Sequence, residues 1–290
     1  MKNELTNYMV VNDKTGEIDS WLTKKEKTRL DKMRTSASII DDKDSKKNDS
    51  LFAEFVKEKC GEFYHVYYSN VIDKKYLFRF IYLCTYMNYK NYIVLGNAKD
   101  ENQLATKKDL KEILKLEKKQ FYETINYFIN NGLIEITDKD YIKVNINMSQ
   151  KGKLNKKLVK NGIARIFNNI IREIYNKSTA REHEKLGLLI RLLPNVNLKT
   201  NVICFNPEED NNTLIEPIDL KTLSQALGYS RINIFKKGLF DITVNGEKAI
   251  MMADFNNIKM IVVNPKIYYK GSNLKDMQGI INLFEIANKF

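Results

Sequence analysis

Residues 88–97 read Asn-Tyr-Lys-Asn-Tyr-Ile-Val-Leu-Gly-Asn, and residues 197–206 read Asn-Leu-Lys-Thr-Asn-Val-Ile-Cys-Phe-Asn. Asn88, Lys90 and Asn97 match Asn197, Lys199 and Asn206 at a constant offset of 109. Further on, Asp109-Leu110-Lys111 recurs as Asp219-Leu220-Lys221, an offset of 110. Val144-Asn145 with Lys151-Gly152 recurs as Val263-Asn264 with Lys270-Gly271, an offset of 119. Offsets that grow in order are what a duplication with later insertions leaves behind, and this period is longer than that of solenoid repeats. The expectation is two whole copies of one domain in tandem.

A length of 290 residues, 43% of them hydrophobic, allows two domains with a core each. The net charge of +12 and pI of about 9.3 favour a polyanionic partner over an acidic small molecule. The three cysteines (Cys60, Cys84, Cys204) are far apart, which suits buried thiols in a reducing cytoplasm and not a disulfide framework. With no CxxC pair and only His65 and His183, a structural or catalytic metal is not expected. The longest apolar stretch, Tyr76 to Met87, contains Arg79 and is too short to span a bilayer. Met1-Lys2-Asn3-Glu4 leads into no apolar run, so no signal peptide is expected. Cofactors are expected to be absent.

Residues 1–50 are expected to be a polar, partly disordered segment. Within it, Val10 to Ile18 suggests a hairpin turning near Lys14-Thr15-Gly16, Thr23 to Met33 a helix, and 41–50 a linker. The first domain is placed at 51–148. Leu77, Phe80, Ile81 and Cys84 lie on one helix face; Thr106 can cap a helix from Lys107 to Leu114. A second helix starts near Lys118 with Phe121, Ile125, Phe128 and Ile129 inward, and ends at Asn131-Gly132. Leu133–Thr137 and Tyr141–Ile146 then read as a hairpin.

A basic connector is placed at 149–161, and the stretch from Ser149 to Lys185 carries ten Lys or Arg against three acids. Ile163, Phe167, Ile170, Ile171 and Ile174 predict a helix with one apolar face. Thr179 and Glu182 form a capping box for the next helix, which Pro194 stops. The second domain is placed at 162–272. It holds a helix over Asp219–Leu227, a turn at Gly228-Tyr229, a helix capped by Ser230 and running to Phe240, and strands at Lys248–Ala253 and Lys259–Val263. A C-terminal helix is expected within 273–290, with Ile280, Phe284 and Ala287 on one face. The order helix, helix, turn, helix, hairpin predicts a mainly α fold with small β wings (α+β): two tandem winged helix-turn-helix domains.

Such a module presents its second helix to the major groove, where base edges carry a readable donor and acceptor code. The base-reading candidates are Lys118, Lys119, Tyr122, Glu123 and Asn126 in the first copy, with Tyr127 flanking them. In the second they are Ser230, Arg231, Asn233 and Lys237, on an outward set that includes Ile234. Phosphate contacts are expected from Lys107, Lys108, Lys151, Lys153, Lys156, Lys157, Lys160, Arg165, Lys221, Lys236 and Lys259. Asp138 and Asp140 would repel phosphate from the first wing. Catalysis is not expected: Arg181, His183 and Arg191 resemble the basic cluster of tyrosine recombinases, but Leu186 stands where those enzymes place Arg. His183 is expected on a helix surface.

Tyr76-Leu77-Phe78-Arg79-Phe80-Ile81-Tyr82-Leu83, Asp109-Leu110-Lys111-Glu112-Ile113-Leu114 and Asn264-Pro265-Lys266-Ile267-Tyr268-Tyr269-Lys270-Gly271, with the duplication, resemble helix-turn-helix proteins of Firmicute phages and plasmids. Among these are plasmid replication initiators with winged-helix domains. The resemblance implies a non-enzymatic, double-stranded DNA-binding protein of a mobile element in a bacterial cytoplasm. Its role would be transcription control or, alternatively, origin binding; a module gripping a host protein and a homodimer are further expectations.

Overall fold

The fold is described from a computed structural model, over residues 7–11, 18–23, 62–67, 72–96, 103–152, 163–255, 258–271 and 274–287. It is mixed α+β with small antiparallel sheets, and it divides into two units, Met1–Phe52 and Ala53–Phe290. In the first, β1 (Asn7–Val11) pairs antiparallel with β2 (Ile18–Thr23). These are the strands that the Lys14-Thr15-Gly16 turn signal implies, and they run further than expected, so that Thr23 ends a strand. The rest of the helix expected to follow Thr23, and the 41–50 linker, lie outside the described residues.

The second unit begins with β3 (Phe63–Tyr67) and continues through α1 (Lys74–Cys84), α2 (Asp109–Leu114) and α3 (Lys118–Asn130). The hairpin β4 (Ile134–Ile136) and β5 (Ile142–Val144) follows, then β6 (Ser149–Gln150). The second copy comprises β7 (Ile163–Phe167), α4 (Asn168–Lys177), α5 (His183–Leu192), α6 (Leu220–Ala226) and α7 (Ile232–Phe240). It closes with the short hairpin β8 (Thr243–Val244) and β9 (Glu247–Lys248), the longer hairpin β10 (Ile250–Phe255) and β11 (Ile258–Val263), and α8 (Leu274–Ala287).

The two copies share a set of equivalent hydrogen bonds. Asn91 (φ 65°) and Asn201 (φ 54°) both adopt the left-handed conformation, which Asn tolerates better than most residues. Asn91 Nδ2 donates to the carbonyls of Val144 (3.3 Å) and Ser149 (2.8 Å); Asn201 Nδ2 donates to those of Val263 (3.1 Å) and Tyr268 (2.6 Å). The acceptors differ by 119 positions, the offset read from Val144-Asn145 and Val263-Asn264. Asn88 Oδ1 accepts from the amides of Lys90 and Tyr92, and Asn197 Oδ1 from those of Lys199 and Thr200. Backbone bonds Ile93 N to Ile142 O and Val144 N to Asn91 O recur as Ile203 N to Ile261 O and Val263 N to Asn201 O.

Two details correct the sequence alignment. Thr200 is an insertion, so the offset reaches 110 already at Asn91, ahead of Asn97, which lies outside the described residues. The extra hairpin β8–β9 then separates α7 from β10, which sets the second hairpin further from its helix than the first. We expect Asn91→Ala and Asn201→Ala to cost similar amounts, about 2–4 kcal/mol each, from two lost hydrogen bonds and a left-handed alanine. Denaturant midpoints measure this; Gly at either position restores only the backbone share.

Both copies contribute to one apolar core, from Tyr64 and Phe80 to Phe235 and Val263. The cause is the pairing of their first helices. Instead of exposing one face, α1 is buried from Leu77 through Cys84, because it packs on α5 as well as on α2, α3 and α4. α1 and α5 run antiparallel: the Arg191 guanidinium donates to the Ile72 carbonyl, Gly187 lies against Lys74, and Arg79 meets His183. In the same sense β3 and β7 pair antiparallel, Phe63 opposite Phe167 and Tyr67 opposite Ile163, with β6 on the other side of β3.

β7 overturns the expectation of a helix beginning at Ile163. Ala164 and Ile166 are buried while Arg165 between them is half-exposed; that two-residue alternation and the free edge of β3 outweigh helical spacing. Ile170, Ile171 and Ile174 do lie on a helix, α4, facing the core. Thr179 bonds to the Glu182 carboxylate through both N–H and hydroxyl, and Leu193–Asn195 is a 3-10 turn closing α5 at Pro194. On α8, Phe284 packs with Val202 and Val262, supported by Ile280.

Candidate nucleic-acid interface

Each copy contains a short helix, a tight turn and a second helix. In the first, Lys115 ends α2 in the left-handed conformation (φ 48°), and Glu117 precedes α3. Thr106 does not cap α2 as expected. Its N–H and hydroxyl bond to the Asp109 carboxylate, so the helix starts at Asp109 and Lys107–Lys108 form the turn before it. In the second, Asp219 Oδ1 caps α6 by accepting from the amides of Lys221 and Thr222. Gly228 (φ 76°) makes the turn, and Arg231, not Ser230, occupies the position before α7, with no side-chain cap.

α3 is held by Phe121, Thr124, Ile125 and Phe128, and α7 by Phe235 and Leu239. The N-terminal end of α1 touches the helix–turn–helix of both copies. Tyr76 stacks on Tyr127 with centroids 3.9 Å apart, and the Asp73 amide donates to the Tyr127 hydroxyl at 2.8 Å. Next to them, Lys74 Nζ donates to the Tyr229 hydroxyl at 2.7 Å and lies over its ring. Tyr127, expected at the reading face, therefore serves as a brace. So does Tyr229 in the turn before α7.

The outer faces are open. Lys118, Lys119, Tyr122, Glu123 and Asn126 on α3 are exposed, as are Ser230, Arg231, Asn233, Lys236 and Lys237 on and before α7. Lys107, Lys108, Lys221 and Lys259 are exposed as well. Among the described residues, Lys118, Lys119, Lys236 and Lys237 form no ion pair, so neutralisation by a partner is available to them. The two units differ in charge. Residues 107–130 hold six lysines and four acids, whereas residues 220–240 hold Lys221, Arg231, Lys236 and Lys237 with no acid.

Two expected phosphate contacts are turned inward. Lys151 is buried, with Nζ 2.6 Å from the Glu62 carboxylate and its charge over the Tyr89 ring. Arg165 lies on β7 beside the Phe63 and Phe167 rings and donates to the Gly271 carbonyl at 3.2 Å. Both belong to a basic run that predicts exposure, and neighbours distant in sequence claim them. Lys153, Lys156, Lys157 and Lys160 lie outside the described residues. In the turn between β4 and β5, expected as the first wing, Asp138 and Asp140 are exposed.

His183, expected on a surface, is buried. Its Nδ1 accepts from Arg79 Nε at 3.1 Å, while Arg79 Nη1 donates to Thr124 Oγ1 on α3 at 2.7 Å. Burial, with the Arg79 charge beside it, pulls the His183 pKa down to about 3. A neutral imidazole thereby accepts from a buried guanidinium that links α1, α3 and α5. Sequence reading missed Arg79 because a lone cation in an apolar run reads as an interruption of that run.

Among the described residues, no helix is long and apolar enough to cross a membrane. No family model, curated protein or solved structure matches this chain.

Proposed function

We propose that this chain is a sequence-specific double-stranded DNA-binding protein whose two copies are winged helix-turn-helix modules, with α3 and α7 entering the major groove. One observation carries the reading. Two equivalent helix–turn–helix units leave the outer face of the second helix open, lined with amides and unpaired lysines. Amides pair with adenine and lysines reach guanine or phosphate. The net charge supplies the long-range attraction to a polyanion. Bracing of both units by the end of α1 fixes their spacing, so each can bind weakly while the pair binds tightly.

Transcription control from an operator of a phage or plasmid is the role we favour. Replication initiation at origin repeats is the second reading, and the unlike outer faces of α3 and α7 speak for it. A chain with two different faces suits a directional site, which can be tiled as direct repeats.

Selection of bound sites from random duplexes tests the proposal. The expected product is a bipartite motif with unlike halves. Asn126→Ala then relaxes preference in one half and Lys237→Ala in the other, each by about 1–3 kcal/mol. Lys236→Ala lowers affinity evenly and flattens the salt slope by about 0.9. A chain that enriches no sequence and ignores duplex at low ionic strength is not a DNA reader.

A further inference from the structure

We infer that α7 recognises the C5-methyl group of a thymine through Ile234, so that the second half-site is an A·T-containing one; the inference rests on the DNA-binding reading above. Ser230, Asn233, Ile234 and Lys237 follow the spacing i, i+3, i+4, i+7, which puts them on one face of α7 and its lead-in, opposite the buried Phe235 and Leu239. Ile234 is 57% exposed at this face. A single exposed apolar side chain is ordinary. This one stands on the helix face where the partner is to be met, with cations around it and no carboxylate between residues 220 and 240.

The matching helix shows what is particular to the second copy. α3 and α7 both start three residues before their first buried aromatic, Phe121 and Phe235. That aligns Lys118, Lys119, Gln120 and Glu123 with Ile232, Asn233, Ile234 and Lys237. At these four positions the first copy is polar, while the second sets an apolar side chain next to an amide. In the major groove, adenine offers N7 and N6 to an amide, and its thymine partner offers a methyl group beside O4. Asn233 next to Ile234 matches that pair: the amide for the adenine, the isoleucine for the methyl. The surrounding phosphates fall to Lys236, Lys221 and Arg231.

Uracil isolates the methyl group, because replacing thymine by uracil leaves every hydrogen-bonding edge and phosphate in place. The full chain is titrated with its selected duplex. Thymines in the half perturbed by Lys237→Ala are replaced by uracil one at a time. At one or two positions uracil is expected to weaken binding about fourfold, the transfer value of one methyl group. Ile234→Ala should bind thymine and uracil duplexes equally, and Ile234→Val should keep most of the preference. Equal binding of thymine and uracil at every position by the native chain, or a preference that persists in Ile234→Ala, overturns the inference while leaving DNA binding intact. Ile234→Ala that binds duplex normally but no longer associates with a second chain in sedimentation assigns the side chain to a protein contact instead. Failure to bind any duplex overturns the DNA reading and this inference with it.

Discussion

Gly187→Ala is expected to unfold the protein at denaturant concentrations that the native chain withstands, with a loss of about 3–5 kcal/mol. A Cβ at this position would stand 1.8 Å from the Lys74 carbonyl oxygen and 2.5 Å from its carbon. Both are backbone atoms of α1, so no side chain can turn aside, and α1 and α5 must separate. In an open helix the same change would stabilise by up to about 1 kcal/mol through helix propensity. The steric term opposes that gain and outweighs it, because the crossing joins the two halves of the core. Gly279→Ala on α8 is the control: nothing lies within 4 Å of its Cβ position, and a gain of about 0.5–1 kcal/mol is expected. Equal denaturation midpoints for Gly187→Ala and the native chain would show that the helices do not meet at this residue.

The second large effect belongs to Arg79. Its guanidinium is buried, and its hydrogen-bond partners, His183 Nδ1 and Thr124 Oγ1, are neutral. Arg79→Ala strands the His183 acceptor and opens a cavity, so a loss of about 3–5 kcal/mol is expected. Arg79→Met also leaves the His183 acceptor without its donor but fills the space, so it should cost less than Arg79→Ala by the cavity share. The imidazole gives a pH signature. As pH falls below the ordinary histidine range, the unfolded chain binds a proton at His183, while the folded chain does not until about pH 3. Stability is therefore lost progressively across that window. Between about pH 7 and about pH 4.5, the native chain should lose about 2–3 kcal/mol more than His183→Asn, which keeps an acceptor and cannot titrate. Urea titrations at the two pH values measure the difference. Equal losses would mean that His183 is solvated.

The open faces of α3 and α7 are legible from periodicity. Phe121, Ile125 and Phe128, or Phe235 and Leu239, mark the buried side of a helix, and the residues opposite them are exposed; Ile129, expected inward, is instead 38% exposed, and Thr124 takes a buried position. The recurrence of the motifs is legible too, apart from Asn91 and Asn201, which Thr200 displaces from the offset of 109 shared by Asn88 and Lys90. Composition misled at Lys151 and Arg165, where membership of a basic run was taken for exposure. Glu62 and the Gly271 carbonyl, the groups that claim them, are 89 and 106 positions away.

The sequence by itself determined the recurrence of short motifs at ordered offsets and, for most positions of α3 and α7, which side faces water. Those properties follow from local spacing and from the contrast between apolar and charged residues, and local terms need no knowledge of the partner. Only the tertiary structure decided that α1 is buried on all sides, that Ile163–Phe167 is a strand, and that Arg79, His183 and Tyr127 are internal. Each depends on which surface arrives from far along the chain. A polar group enters the interior when a hydrogen-bonding partner waits there, and the spacing of residues in sequence carries no record of that partner.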